Sequence, residues 1–154
     1  MTPLHDALID DHRRLDRIFS EVGEATAAGA DLRTIGEIWT RFGAALRRHL
    51  ALEEDAIFPV LTRTHPDEIS ALCVEHHRIR TRLERLDMDV DLHLLRDPAV
   101  RSLIADLQAH ARREDVGLYA WAEAELSPAE KRHMLTELDR QGLGEPGAAA
   151  HPQA

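Results

Sequence analysis

Four long stretches of this sequence place apolar residues every three or four positions, the spacing that lines one face of an α-helix, and each stretch breaks that line with a histidine. The first stripe reads Leu4, Leu8, His12, Leu15, Phe19, Val22. The second reads Ile35, Trp39, Phe42, Leu46, His49, Glu53, Ile57, Val60. In the third come Ile69, Leu72, His76, Ile79, Leu83, Leu86, and in the fourth Val100, Leu103, Leu107, His110, Glu114, Leu118, Trp121. Helices with one apolar face bury it against one another, so four such stripes joined by short breaks predict an all-α, up-down-up-down four-helix bundle.

The breaks fix the expected boundaries. A first helix runs from about Pro3 to Ala27 and ends in "AAGAD". A second spans Leu32 to Thr62, with Pro59 expected to bend or close its last turns. After "THPDE", Asp67 is the expected cap of a third helix reaching about Leu86. Asp97 caps and Pro98 opens a fourth that continues to Leu126. Ser127, Pro128 and Glu130 then form a capping box with proline in the first turn, starting a short extra C-terminal helix. The stretch "LDMDVDLHL" alternates like a strand. A lone strand among helices has nothing to pair with, so it is read as a helix end and a loop. The chain thus divides into a bundle at 1–126, a C-terminal helix at 127–141 and a disordered tail at 142–154.

Composition narrows the partners. A net charge of −9 disfavours nucleic acid, whose phosphates call for clustered Lys and Arg. No apolar run approaches the roughly 18 residues of a membrane span, and "MTPLHDALIDDHRR" lacks the form of a signal peptide. One cysteine, Cys73, permits no internal disulfide, so the expected compartment is the cytoplasm. Histidine stands out, with ten in 154 residues.

A buried carboxylate without a partner is costly, and two close together are worse. A cation among them removes the objection, and imidazole with carboxylate suits iron, zinc, manganese or copper. The spacing i, i+4 sets His49 beside Glu53 and His110 beside Glu114 on one helix face. Near-equal helix arms bring His12, His49, Glu53, His76, His110 and Glu114 to one level of the bundle, enough donors for a two-metal centre. The pattern is also an internal repeat. "DHRRL" at Asp11 returns as "EHHRI" at Glu75, and "HLALEEDAIF" returns as "HARREDVGLY" 61 residues later. Each half is a hairpin carrying one His and one His-x-x-x-Glu.

The remaining histidines read differently. His77 lies off the stripe beside Cys73 and Arg80, a flank position, with a ligand role as the lesser alternative. His5 reads as a surface residue, with a hydrogen bond into the site as the lesser alternative, and His65, His93, His133 and His151 fall in turns, an exposed helix or the tail. Glu54, Asp55 and Asp115 read as a solvated rim, with support of the ligands as the lesser alternative, and Trp39, Phe42, Phe58, Tyr119 and Trp121 as core, Tyr119 with a face toward the metal as its lesser alternative. Ferritin-like Glu-x-x-His pairs and the zinc-protease His-Glu-x-x-His are not supported: "EKRH" occurs once, and its Glu130 is a cap.

The residues His12, His49/Glu53, His76 and His110/Glu114, with "LEEDAIFPVL" and "EHHRIR" around them, resemble the hemerythrin-like, or HHE cation-binding, domains over roughly Leu4 to Leu126. The resemblance implies two iron ions in a non-haem di-iron centre, bridged by both glutamates and by an oxo or hydroxo group. Respiratory hemerythrins carry a further histidine four residues from the one matching His76, where this chain has Leu72 and Arg80. They also use as ligand an Asp five residues after the last histidine, a role that the repeat in this chain gives to Glu114 at four. One iron is therefore expected to keep an open position or to take another ligand such as His77. The implied function is binding of, or reaction with, dioxygen, nitric oxide or peroxide, as an oxidoreductase if it is an enzyme. The alternatives are a metal-dependent sensor and an iron store that serves repair of iron centres.

Overall fold

The computed structural model describes residues 2–143, and in them the chain forms five helices and no strand. Helix α1 covers Leu4–Ala27. Helix α2 covers 32–61 and is α-helical at Leu32–Leu52, widens to a π turn at Glu53–Ile57 and resumes at Phe58–Leu61. Helix α3 is Pro66–Asp91. Helix α4 covers 97–125, with α-helix at Asp97–Arg113, a second π turn at Glu114–Leu118 and α-helix again at Tyr119–Glu125. Helix α5 is Pro128–Leu143. Among the described residues no helix is long and apolar enough to cross a membrane.

Short turns force neighbouring helices to run antiparallel. α1 packs on α2 and α4, and α3 packs on the same two from the other side, which is the four-helix bundle the stripes predict. The α1–α2 turn closes on Gly29 at φ +66°, with Ala30 N–H bonded to the Ala25 carbonyl at 3.0 Å. Asp31 then caps α2, accepting from Thr34 N–H at 2.8 Å. α5 starts on the expected capping box, with Ser127 N–H donating to Glu130 Oε2 at 2.7 Å and Glu130 N–H donating to Ser127 Oγ at 3.2 Å. It packs on α1 and α2 and buries Met134 and Leu138.

The bundle holds two apolar layers. One gathers Leu4, Leu8, Ile57, Phe58, Leu72, Leu118 and the α5 residues Met134 and Leu138. The other gathers Leu15, Phe19, Trp39, Phe42, Leu46, Leu83 and Leu103. His12, His76 and His110 fall between these layers in sequence, and on α2 the pair His49 and Glu53 straddles the change from Leu50 to Ile57, so apolar packing closes the polar cluster from both ends.

Several boundaries differ from the sequence expectation. Pro66 sets the first turn of α3, so Asp67 lies inside the helix, where its charge faces the N-terminal dipole, and caps nothing. α3 also runs past Leu86 to Asp91. Asp87 accepts from Trp39 Nε1 at 2.6 Å and Arg47 Nη2 at 2.5 Å, and Val90 packs on the core, so tertiary contacts override the alternating pattern. Arg96, not Asp97, occupies the cap position of α4. Pro59 sits two residues beyond the π turn and leads the helix onward to Leu61. α5 continues through residues 142 and 143, and the rest of the expected tail lies outside the described residues.

Candidate metal centre

Each bundle helix contributes at mid-length. His12 comes from α1, His49 and Glu53 from α2, His76 from α3, and His110 and Glu114 from α4. Their donor atoms form two groups, His12, His49, Glu53, Glu114 and Glu53, His76, His110, Glu114, each within 4.8 Å. Both glutamates belong to both groups. His49 Nε2 is 3.0 Å from Glu53 Oε1, and His76 Nε2 is 3.2 Å from Glu53 Oε2. Glu114 Oε1 lies 3.3 Å from His12 Nε2 and 3.0 Å from His110 Nε2, while its Oε2 lies 3.5 Å from His76 Nε2. All six residues that the sequence singles out therefore meet at one place.

The π turns explain how the glutamates reach the centre. Each begins at a site glutamate and ends with a hydrogen bond from the residue five positions on, Phe58 N–H to the Glu53 carbonyl and Tyr119 N–H to the Glu114 carbonyl. The extra residue in the turn moves the inward face on by one position. Phe58 and Leu61 are buried where the regular stripe predicts Val60, and Tyr119 and Ala122 where it predicts Trp121. Trp121 instead lies half-buried and stacks on His65, ring centroids 3.7 Å apart. Tyr119 is core, as expected, but its hydroxyl enters the site. It donates to Glu53 Oε1 at 2.5 Å and lies 2.7 Å from His12 Nε2 and 3.3 Å from His49 Nε2.

Every site histidine turns Nε2 inward and gives Nδ1 to a carboxylate. His12 meets Asp115 at 2.8 Å, His49 meets Asp11 at 2.6 Å, His76 meets Glu54 at 2.9 Å and His110 meets Glu75 at 2.6 Å. An imidazole that donates Nδ1–H keeps a lone pair on Nε2 for a cation, in a fixed orientation and with raised basicity. Arginines back three of these carboxylates: Arg14 on Asp11, Arg80 on Glu54 and Arg113 on Glu75. Glu54 and Asp115 thus hold ligands and are more than a solvated rim, whereas Asp55 is exposed. The signal was in the repeat: Asp11 and Glu75 precede equivalent histidines, and Glu54 and Asp115 follow equivalent glutamates.

The protein atoms alone leave the centre unbalanced. Glu53 Oε2, both carboxylate oxygens of Glu114, and Nε2 of His76 and His110 are buried without a hydrogen-bond partner, although they approach one another at 3.0–3.5 Å. Buried polar atoms in native proteins are nearly always satisfied. Cations between them satisfy all five, so the donor set fits metal. Electrostatics agrees. Burial works against charge on His76, yet the facing carboxylates of Glu114 and Glu53 push it up to about 10. His12, His49 and His110 are also raised against burial by the carboxylates around them. Burial opposes ionisation of Glu114 too, but the facing imidazoles of His110, His12 and His76 hold it well below the carboxylate range. The site demands positive charge.

A cavity of about 390 Å³ reaches the site between α1, α2 and α4, lined by His12, His49, His110 and Asp115 and by apolar Phe19 and Phe42. His77 is exposed and joins nothing here. His5 pairs with Asp6 at 3.3 Å and gives its N–H to Glu123, away from the centre.

Four antiparallel helices with a buried, fully oriented His/Glu cluster define a cation-binding bundle. Residues 4–122 match the hemerythrin HHE cation-binding domain model, and the chain belongs to that family. Searches of curated proteins and of solved structures find no match.

Proposed function

We propose that this protein is a cytoplasmic non-haem di-iron protein that binds or reacts with dioxygen or a related small oxidant such as nitric oxide or peroxide. The observation that carries the reading is the sharing of Glu53 and Glu114 between two donor groups, each completed by two histidines. A single ion has no use for four imidazoles and two carboxylates split in this way, and imidazole with carboxylate is a donor set that iron takes readily. Iron bound there would supply redox chemistry toward small oxidants.

The chain's own residues shape that chemistry. Glu53 and Glu114 supply negative charge that favours the more oxidised metal. Asp11, Glu54, Glu75 and Asp115 strengthen each imidazole as a donor. Phe19 and Phe42 give the cavity an apolar wall suited to a neutral diatomic, while His12 and Asp115 leave it a polar side.

Anaerobic loading with ferrous iron, a metal count per chain and an optical spectrum before and after air test the proposal. Two irons and a new near-ultraviolet ferric absorption on exposure are expected. A single tightly held zinc, or iron indifferent to air, nitric oxide and peroxide, contradicts it.

A further inference from the structure

The two halves of the centre are related by the internal repeat, and one side chain breaks the relation. Phe58 and Tyr119 are 61 residues apart, as are Glu53 and Glu114, and each closes the π turn that its glutamate opens. Each ring lies beside the single histidine of a hairpin, Phe58 5.0 Å from His76 and Tyr119 4.9 Å from His12, centroid to centroid. Only the second ring carries an oxygen. That oxygen is fully buried and falls among the donor atoms of one group, 2.7 Å from His12 Nε2, 3.3 Å from His49 Nε2 and 2.5 Å from Glu53 Oε1.

We propose that Tyr119 is a metal ligand, its phenolate oxygen binding the cation held by His12 and His49. The proposal rests on the di-iron reading above and makes that centre unsymmetrical: the His12/His49 ion has an oxygen donor that the His76/His110 ion lacks. On the His76/His110 side Leu72 and Arg80 supply no fifth imidazole and His77 is exposed, so the added donor from α4 serves the other ion alone. In the binding step the phenol O–H bond breaks, the oxygen electron pair forms the bond to the ion, and the proton leaves to water through the cavity beside His12. No electron changes hands in that step.

Tyr119→Phe removes one atom and keeps the ring in the core, so the fold is preserved. The full-length wild type and this variant are loaded with ferrous iron, oxidised in air, counted for iron and compared by visible absorption and resonance Raman. In the wild type a phenolate-to-ferric charge-transfer band with enhanced tyrosinate ring modes is expected, and in Tyr119→Phe its complete loss. Two irons without that band in the wild type, or the band persisting in the variant, overturns the ligand assignment and leaves the di-iron reading standing. One iron with the band keeps Tyr119 as ligand and overturns the di-iron reading. No bound iron overturns both.

Discussion

Asp11 on α1 holds His49 on α2 from behind, Oδ2 to Nδ1 at 2.6 Å, and both side chains are buried. Glu75 does the same for His110 across α3 and α4, also at 2.6 Å. The residue before each single histidine thus orients the first histidine of the next motif, tying the two helices of a hairpin together through the site. Arg14 and Arg113 then fix the two carboxylates.

The first prediction concerns this tie. Asp11→Asn weakens the donor behind His49 and Asp11→Ala removes it, and loss of such a partner costs about 10- to 100-fold in metal affinity. Competition against a chelator of known affinity measures it, with the Ala variant weaker than the Asn variant. Asp16, which is exposed and accepts from Gln108 at 3.1 Å, is the control: Asp16→Asn leaves affinity unchanged.

The second concerns pH. His76 in the metal-free chain is pushed up to about 10, above its ordinary 6.5, burial being outweighed by Glu114 and Glu53. A raised folded-state value means that protonation stabilises the fold. That contribution is complete below pH 6.5 and is lost as pH climbs toward 10. The metal-free melting temperature therefore falls across this window. Metal takes the proton's place on the imidazole, so apparent affinity rises over the same range. Melting curves with chelator, and titrations that record proton release, check both directions.

A third prediction lies at a turn. His93 ends α3 at φ +58°, a left-handed conformation that Gly29 adopts at the end of α1. For a residue with a Cβ this costs roughly 1–2 kcal/mol, partly offset by the greater freedom glycine has when unfolded. His93→Gly is expected to stabilise the fold by up to about 1 kcal/mol, read from denaturant midpoints, without altering metal content.

A fourth uses the repeat. On a Tyr119→Phe background, Phe58→Tyr places a hydroxyl beside His76 in the equivalent position. The phenolate charge-transfer band returns, now from the His76/His110 half, and resonance Raman of the ferric protein records it.

Most of this architecture was legible before the structure. Spacing of three and four defined four helices, and the histidines on the stripes turn inward as expected, because a bundle core leaves no other place for that face. What spacing could not show was the π turn. A stripe drawn with regular helical geometry continues to Val60 and Trp121, whereas one added residue in the turn brings Phe58 and Tyr119 inward. The outer carboxylates were hidden for another reason: Asp11, Glu54, Glu75 and Asp115 lie off the stripes, and a charged residue there looks solvated until a neighbouring helix brings an imidazole to it. Asp67 is no cap because α3 starts at Pro66 and leaves it inside the first turn, and Asp97 is none because α4 starts at Asp97 itself, with Pro98 second.

Two cations sharing two carboxylates define the proposed centre. Anomalous diffraction at the iron edge from crystals of the iron-loaded protein tests this most directly. Two peaks are expected, one beside His12 and His49 and one beside His76 and His110, with Glu53 and Glu114 touching both. A single peak, or iron lying outside these six side chains, contradicts the account.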